Sequence, residues 1–96
     1  MRLGSIINIT LSTFTLILLI LKFEIMKIKE TEESEIAYIE ELEKYKELAE
    51  KSPETYLPKV ADTQNNLGAF YWNLGKFEEA EKAYVEALQI SKELAK

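Results

Sequence analysis

The sequence predicts an all-α protein, built from antiparallel helix–turn–helix repeats that follow an N-terminal apolar helix. Three observations support this prediction. Residues 59–74 and 77–94 each carry apolar side chains at three- and four-residue steps, which is the spacing of one helix face. Residues 32–50 and 78–96 are similar to each other at an offset of 46 positions. Residues 3–21 form a run without a charged side chain.

The N-terminal segment, residues 1–24, is predicted to be a hydrophobic helix that anchors the chain in a membrane. Its uncharged run, residues 3–21, has the length of about 17–25 residues that a membrane-spanning helix needs. A cleaved signal peptide is the alternative, but no small-residue cleavage pattern follows the run. Three lysines just beyond the run favour a cytoplasmic location for the rest of the chain. A secreted protein and a soluble cytoplasmic protein are the other locations considered.

The next segment, residues 25–30, is predicted to be a linker or to continue the first helix without a break. The repeat region is predicted to span residues 31–96. Its first helix should end before Pro53, because proline disfavours the helical conformation in the residue that precedes it. A loop is expected to lead to Pro58, which suits the first turn of the next helix because its missing N–H has no helical partner there.

Residues 61–94 contain a complete pair of helices on either side of a turn at Gly75. A glycine in this place is predicted to adopt the left-handed conformation that ends many helices. Gly68 lies inside a helix, where glycine costs about 0.5–1 kcal/mol relative to alanine, so we expect Ala80 or Ala83 to approach it closely. The residues predicted to pack the two helices together are Leu67, Gly68, Tyr71, Gly75, Ala80, Tyr84 and Ala87.

An internal duplication supports the same architecture. When residues 32–50 are aligned with residues 78–96, eleven of the nineteen positions are identical. The identities place alanine, tyrosine and leucine in register, which a shared Glu/Lys-rich composition would not produce. Residues 31–51 are therefore predicted to be the second helix of a preceding repeat. The helix that should pair with it is not evident, and residues 6–21 would supply it by folding back if they do not span a membrane.

The packing residues around the turn resemble those of a tetratricopeptide repeat (TPR), a helix–turn–helix unit. The resemblance covers residues 32–96, and only residues 61–94 form a complete unit. Two positions depart from the family pattern. Gln64 stands where the family often has tryptophan, and the neighbourhood of Lys92 lacks the proline that commonly ends the second helix. The resemblance implies a helical-repeat fold and a non-catalytic scaffold that binds a protein or peptide partner.

The resemblance also implies a groove lined by the first helix of each repeat. Asparagine amides can hold a peptide backbone because they both donate and accept hydrogen bonds. A tryptophan in such a groove can act as an apolar anchor. The residues at the matching positions are Asp62, Asn65, Ala69, Trp72 and Asn73.

Charge and composition exclude several kinds of function. Residues 1–29 have a net charge of +3, whereas residues 30–96 carry eight lysines against sixteen acids and have a net charge of −8. An acidic repeat region is unsuited to nucleic acid, whose phosphates require a basic surface. The sequence contains no histidine, no cysteine and no glycine-rich phosphate loop. We therefore predict no catalytic residue, cofactor or metal site, and we do not expect an enzyme.

Two alternatives to a binding scaffold follow from the incomplete repeat pattern. One and a half repeats bury little apolar area, and repeat proteins depend on the interfaces between neighbouring repeats. The chain could complete its core by self-association, as a helical oligomerisation segment. It could also be a truncated fragment of a longer TPR protein, without an independent function.

Overall fold

The computed structural model describes the backbone of residues 2–96 and the side chains from residue 8 onward. These residues form three helices: α1 (Arg2–Lys51), α2 (Pro53–Asn73) and α3 (Phe77–Leu94). The all-α class and the long N-terminal apolar helix are thereby confirmed. The chain divides into two compact units, Met1–Glu33 and Ser34–Lys96, and the helix pair predicted from the sequence lies in the second.

The N-terminal unit exposes its apolar side chains. In the part of α1 from Ile9 to Ile28, the large aliphatic and aromatic side chains are 49–66% exposed. Counted from Asn8, α1 is long and apolar enough to cross a membrane, a criterion that an N-terminal signal sequence would also meet. The first residues of the predicted apolar run, Leu3–Ile7, lie outside those whose side chains the structure describes.

Two threonines in this unit satisfy their hydroxyl groups within the helix. The Thr13 and Thr15 hydroxyls donate to the carbonyl oxygens of Ile9 and Leu11, at 2.9 and 2.8 Å. Bonds of this kind hide polar hydroxyls from an apolar medium. These two threonines therefore do not conflict with an apolar environment.

Residues 25–30 are helical and belong to α1. No glycine or proline occurs between residues 5 and 52, so nothing in the sequence favours a break. Residues 6–21 belong to this same continuous helix and not to a separate one.

The prediction of a loop between Pro53 and Pro58 is wrong, because α2 already begins at Pro53 and Ser52 alone joins it to α1. Helical backbone across this segment places Tyr56 against α1, where its ring stacks on Tyr45 with centroids 6.3 Å apart. Pro58 consequently lies inside α2, where it has no N–H to donate to the preceding turn. Aromatic packing thus extends the helix past a residue that disfavours it.

The core of the second unit lies between α2 and the last part of α1. Leu42 and Ala49 of α1 and Val60 and Leu67 of α2 form a buried cluster. Around it lies a set of half-buried apolar side chains: Tyr38, Tyr45, Tyr56, Leu57, Phe70, Tyr71 and Ile90. Large rings therefore set the spacing of α1 and α2, since the distance between packed helices follows the size of the side chains between them.

Small residues pack α2 against α3. Ala80, Ala83 and Ala87 are 0–4% exposed and form the buried stripe of α3. The atoms nearest to a Cβ added at Gly68 belong to the Tyr84 ring, 2.9 Å away. A side chain at this position would therefore have to displace that ring.

The turn between α2 and α3 is closed by Gly75, which adopts a φ of +77°. Its amide donates to the carbonyl of Trp72 at 3.0 Å, and the Lys76 amide donates to the carbonyl of Tyr71 at 2.9 Å. This pair of bonds is the Schellman arrangement, which satisfies the free carbonyls at a helix end. It fixes the direction in which α3 leaves α2.

Candidate protein-interaction surface

The five residues expected to line a groove are all exposed on α2. They recur at three- and four-residue steps and share one side of the helix. The opposite side is used for packing and contains the buried residues of α2: Val60, Ala61, Thr63, Gln64, Leu67 and Gly68. We call the exposed side without Trp72 the α2 face; it consists of Asp62, Asn65, Ala69 and Asn73.

Trp72 differs from the rest of this set because it leans toward α3. Its ring meets Phe77 edge-on with centroids 4.7 Å apart, and 58% of the residue remains exposed. Trp72 forms the border between the α2 face and an open apolar groove of about 370 Å³. This second surface, the α3 groove, is lined by Trp72, Phe77, Glu81, Tyr84, Val85 and Leu88.

The α3 groove is absent from the predicted site, apart from Trp72. The sequence pattern assigns Tyr84 and Leu88 to the packed stripe of α3, yet they are 39% and 55% exposed. Each follows a buried alanine, Ala83 or Ala87, and successive residues of a helix point about 100° apart. Because α2 approaches α3 on the alanine side, the larger residues stay partly exposed, although the Tyr84 ring still contacts Gly68 of α2. The signal that could have revealed the groove is the internal duplication.

Tyr71, which was predicted to pack α2 against α3, also connects α2 to α1. Its hydroxyl donates to the Glu35 carboxylate of α1 at 3.0 Å. Burial, the hydrogen bond to Glu35 and the negative charges of Glu35 and Glu79 raise the pKa of Tyr71 above its ordinary value. The neutral, donating form of the phenol is therefore favoured.

A buried polar pair links α2 to α3 at the position where the family often has tryptophan. Gln64 is 3% exposed, and its side-chain amide donates to the carboxylate of Glu86. Thr63 beside it donates to the carbonyl of Lys59 at 2.9 Å. The departure from the family pattern at Gln64 is thus accompanied by a hydrogen-bonded partner on α3, as a buried polar group requires.

The described residues offer interaction surfaces but no cluster of three or more His, Cys, Asp or Glu suited to hold a metal ion. Residues 60–96 match the family model of the tetratricopeptide repeat. The match covers the last two-thirds of α2 and all of α3. No curated protein and no solved structure matches the chain significantly. Residues 60–96, which make up less than half of the chain, are thus similar to a tetratricopeptide repeat, a unit that is typically a scaffold for protein–protein interaction.

Proposed function

We propose that this chain, whose residues 60–96 are similar to a tetratricopeptide repeat, is a membrane-anchored module that binds a protein or peptide partner. In this proposal residues 3–21 span the membrane and the repeat unit lies in the cytoplasm. The partner binds along the α2 face, with Trp72 as the apolar anchor. The observation that carries the proposal is the exposure of all five predicted groove residues on a helix whose other side is packed.

The chemistry of the α2 face suits an extended peptide of neutral or basic character. Asn65 and Asn73 each present an amide that can both donate to and accept from a peptide backbone. Asp62 adds a negative charge, and the repeat region as a whole is acidic. A tryptophan that is 58% exposed before binding has apolar surface to lose on contact with a partner.

A displayed peptide library, selected against the full chain in lipid nanodiscs, tests this proposal. Selected peptides should bind Trp72→Ala roughly thirtyfold more weakly, as is common for an aromatic interface anchor. Asn65→Ala should weaken binding about five- to tenfold through the lost amide bonds. The matched control is Ile36→Ala, which removes an exposed aliphatic side chain from α1 and should leave binding unchanged.

Affinity should be measured by fluorescence anisotropy of a labelled peptide. Circular dichroism of each variant verifies that the helices are retained. Peptides that bind Trp72→Ala and Asn65→Ala as tightly as the unaltered protein would contradict the assignment of the α2 face. Loss of helix in Trp72→Ala would instead make Trp72 a residue of the folded core.

A further inference from the structure

The two duplicated segments, residues 32–50 (the first copy) and residues 78–96 (the second copy), differ in whether another helix covers them. In the first copy, three residues of α1 contact α2 directly. Glu35 accepts a hydrogen bond from the Tyr71 hydroxyl at 3.0 Å, and Tyr38 packs against Phe70 with ring centroids 5.4 Å apart. Leu42, which is 8% exposed, lies in the core cluster with Leu67. These contacts hold α2 against α1.

The second copy presents the same three side chains to solvent, although the Tyr84 ring also contacts Gly68 of α2. At the offset of 46, Glu35 corresponds to Glu81, Tyr38 to Tyr84 and Leu42 to Leu88. All three line the α3 groove and all three are exposed. The half-buried Ile39 likewise corresponds to Val85, which is 44% exposed. The α3 groove thus repeats, uncovered, the surface by which α1 holds α2.

We infer that the α3 groove is a docking site for an amphipathic helix of a partner protein that presents the pattern Leu-x-x-Phe-Tyr, as α2 does at residues 67–71. The phenylalanine would pack on Tyr84 and the leucine on Leu88. The tyrosine hydroxyl would donate to the Glu81 carboxylate. This inference concerns a surface other than the α2 face and does not depend on the function proposed for that face.

The duplication also predicts where the contact with the partner weakens. Tyr45 of the first copy, which stacks on Tyr56 of α2, corresponds to Ser91 in the second copy. The α3 groove therefore lacks an aromatic ring at this end. Recognition is concentrated in the half that contains Glu81, Tyr84 and Leu88, so a partner helix needs only about two to three turns of matching pattern.

A second copy of this chain is not the occupant that the structure favours. In each copy Leu67 is buried, and Phe70 and Tyr71 are half-buried against α1. A copy could offer this side of α2 to another molecule only by releasing its own core. A separate helix with the same side-chain pattern carries no such cost.

The test uses the full chain in nanodiscs and a synthetic peptide of residues 53–73 as the probe helix. The peptide carries W72F, so Trp72 of the protein is the only indole in the mixture. Binding should shift the Trp72 emission to shorter wavelength, because the indole borders the groove and loses water there. Empty nanodiscs measure any adsorption of the peptide to lipid.

A matched pair of variants locates the binding site. Leu88 and Ile36 are both aliphatic and both 55% exposed, but only Leu88 lines the α3 groove. Leu88→Ala should weaken peptide binding about tenfold or more, and Ile36→Ala should leave it unchanged. Asn65→Ala should also leave it unchanged, which separates this result from the test of the α2 face.

A double-mutant cycle tests the hydrogen bond that the duplication predicts. Glu81→Gln in the protein and Y71F in the peptide should each weaken binding about three- to tenfold. Together they should weaken it no more than either alone, because both remove the same bond. Glu47→Gln, an exposed acid of α1, is the control for charge and should have no effect.

Two results would overturn the inference. Equal binding by Leu88→Ala and the unaltered protein would show that the peptide exchanges with α2 or binds elsewhere. Sedimentation of the protein alone is the second measurement. A dimer that dissociates on Leu88→Ala would assign the α3 groove to a second copy of the chain and not to a partner helix.

Discussion

Tyr71 connects all three helices through different chemical groups. It belongs to α2, its hydroxyl donates to Glu35 of α1, and its carbonyl accepts the Lys76 amide at the start of α3. The Lys76 ammonium also lies over its ring, 5.9 Å from the centroid. A single residue thereby couples the Gly75 turn to the position of α1.

The raised pKa of Tyr71 gives stability a definite dependence on pH. Because the folded state holds the phenol proton more tightly than the unfolded state, this contribution is fully present below the ordinary pKa of about 10. It is lost as pH rises through the higher pKa of the folded state. Unfolding followed by circular dichroism from pH 8 to 11 should show a smaller decline in stability for Tyr71→Phe than for the unaltered protein.

Two comparisons complete this test. At pH 8, Tyr71→Phe should already be less stable by about 1 kcal/mol, because it lacks the hydrogen bond to Glu35. Tyr84→Phe, at a tyrosine that is 39% exposed, should keep the decline of the unaltered protein. Equal declines for all three proteins would show that Tyr71 does not govern stability in this pH range.

The stability of the contact between α2 and α3 depends on Gly68 and Tyr84. A Cβ at Gly68 would lie 2.9 Å from the Tyr84 ring, so a leucine there must displace either the ring or α3. Gly68→Leu should lower the free energy of unfolding by about 1–3 kcal/mol, a typical cost of overpacking. Thermal unfolding followed by Trp72 fluorescence measures the change.

The ring can be tested separately from the helix backbone. Adding Tyr84→Ala to Gly68→Leu removes the obstructing ring and should recover part of the lost stability. If the double variant were less stable than the sum of the two single changes, the ring would not be the group that requires glycine. The Gly68–Tyr84 contact would then have to be reassigned.

The residues that sequence analysis located well are those with a local cause. The left-handed conformation of Gly75 follows from its place directly after an apolar helix pattern. The direction of Tyr71 was not predictable from periodicity, because α2 packs on two helices and Tyr71 lies where their packing surfaces meet. Gln64 shows the same limit, since its partner Glu86 lies 22 residues away in the chain.

The helices themselves are specified at two levels. Periodicity is sufficient to predict that α2 and α3 exist, and the predicted start of α3 at Phe77 agrees with the structure. The start of α2 was predicted too late, because Pro53 and Pro58 both suggest a first turn and only the contact of Tyr56 with Tyr45 selects the earlier one. Tertiary packing, which no local pattern contains, decides this boundary.

The two helix interfaces have different requirements. Rings such as Tyr38 and Phe70 fill the space between α1 and α2, whereas Ala80, Ala83 and Ala87 bring α3 close to α2. The stripe of small residues has more influence on which side of α3 is buried than the large residues beside it have. For this reason the apolar pattern of α3 predicted a helix correctly but did not reveal that Tyr84, which contacts Gly68, and Leu88 remain partly exposed.

The whole chain combines two segments of different composition. The segment up to residue 29 is apolar with a net charge of +3, and the remainder has a net charge of −8. In the proposed function the N-terminal segment lies in lipid and its flanking lysines remain on the cytoplasmic side. An acidic module held near an anionic leaflet would be repelled from it, which keeps the repeat unit available to partners.

The proposed anchor predicts how the full chain fractionates. It should remain with membranes after carbonate extraction. Leu11→Lys combined with Phe14→Lys should release it, because each charge near the centre of a spanning helix costs about 2.5–3.5 kcal/mol. Ile36→Lys with Ala37→Lys adds the same charge outside the run and should leave the protein in the membrane fraction. Release of the unaltered protein by carbonate would contradict the anchor.

The absence of cysteine allows a direct test of orientation. A single Glu47→Cys variant places one thiol on an exposed position of the repeat unit. If the repeat unit is cytoplasmic, a membrane-impermeant maleimide should label this thiol only after the cells are permeabilised. Labelling of intact cells would place the repeat unit on the opposite side of the membrane.

Because of the duplication, α2 can pair with either of two similar segments while the chain folds. Residues 32–50 and 78–96 offer α2 nearly the same side chains, and each segment is joined to α2 by a short connection. An early encounter through Tyr84 and Leu88 would be a kinetic trap that leaves residues 34–51 without a partner. Tyr45 distinguishes the two candidates, since only it stacks on Tyr56 and the corresponding Ser91 cannot. One aromatic side chain thus makes the correct pairing the more stable one.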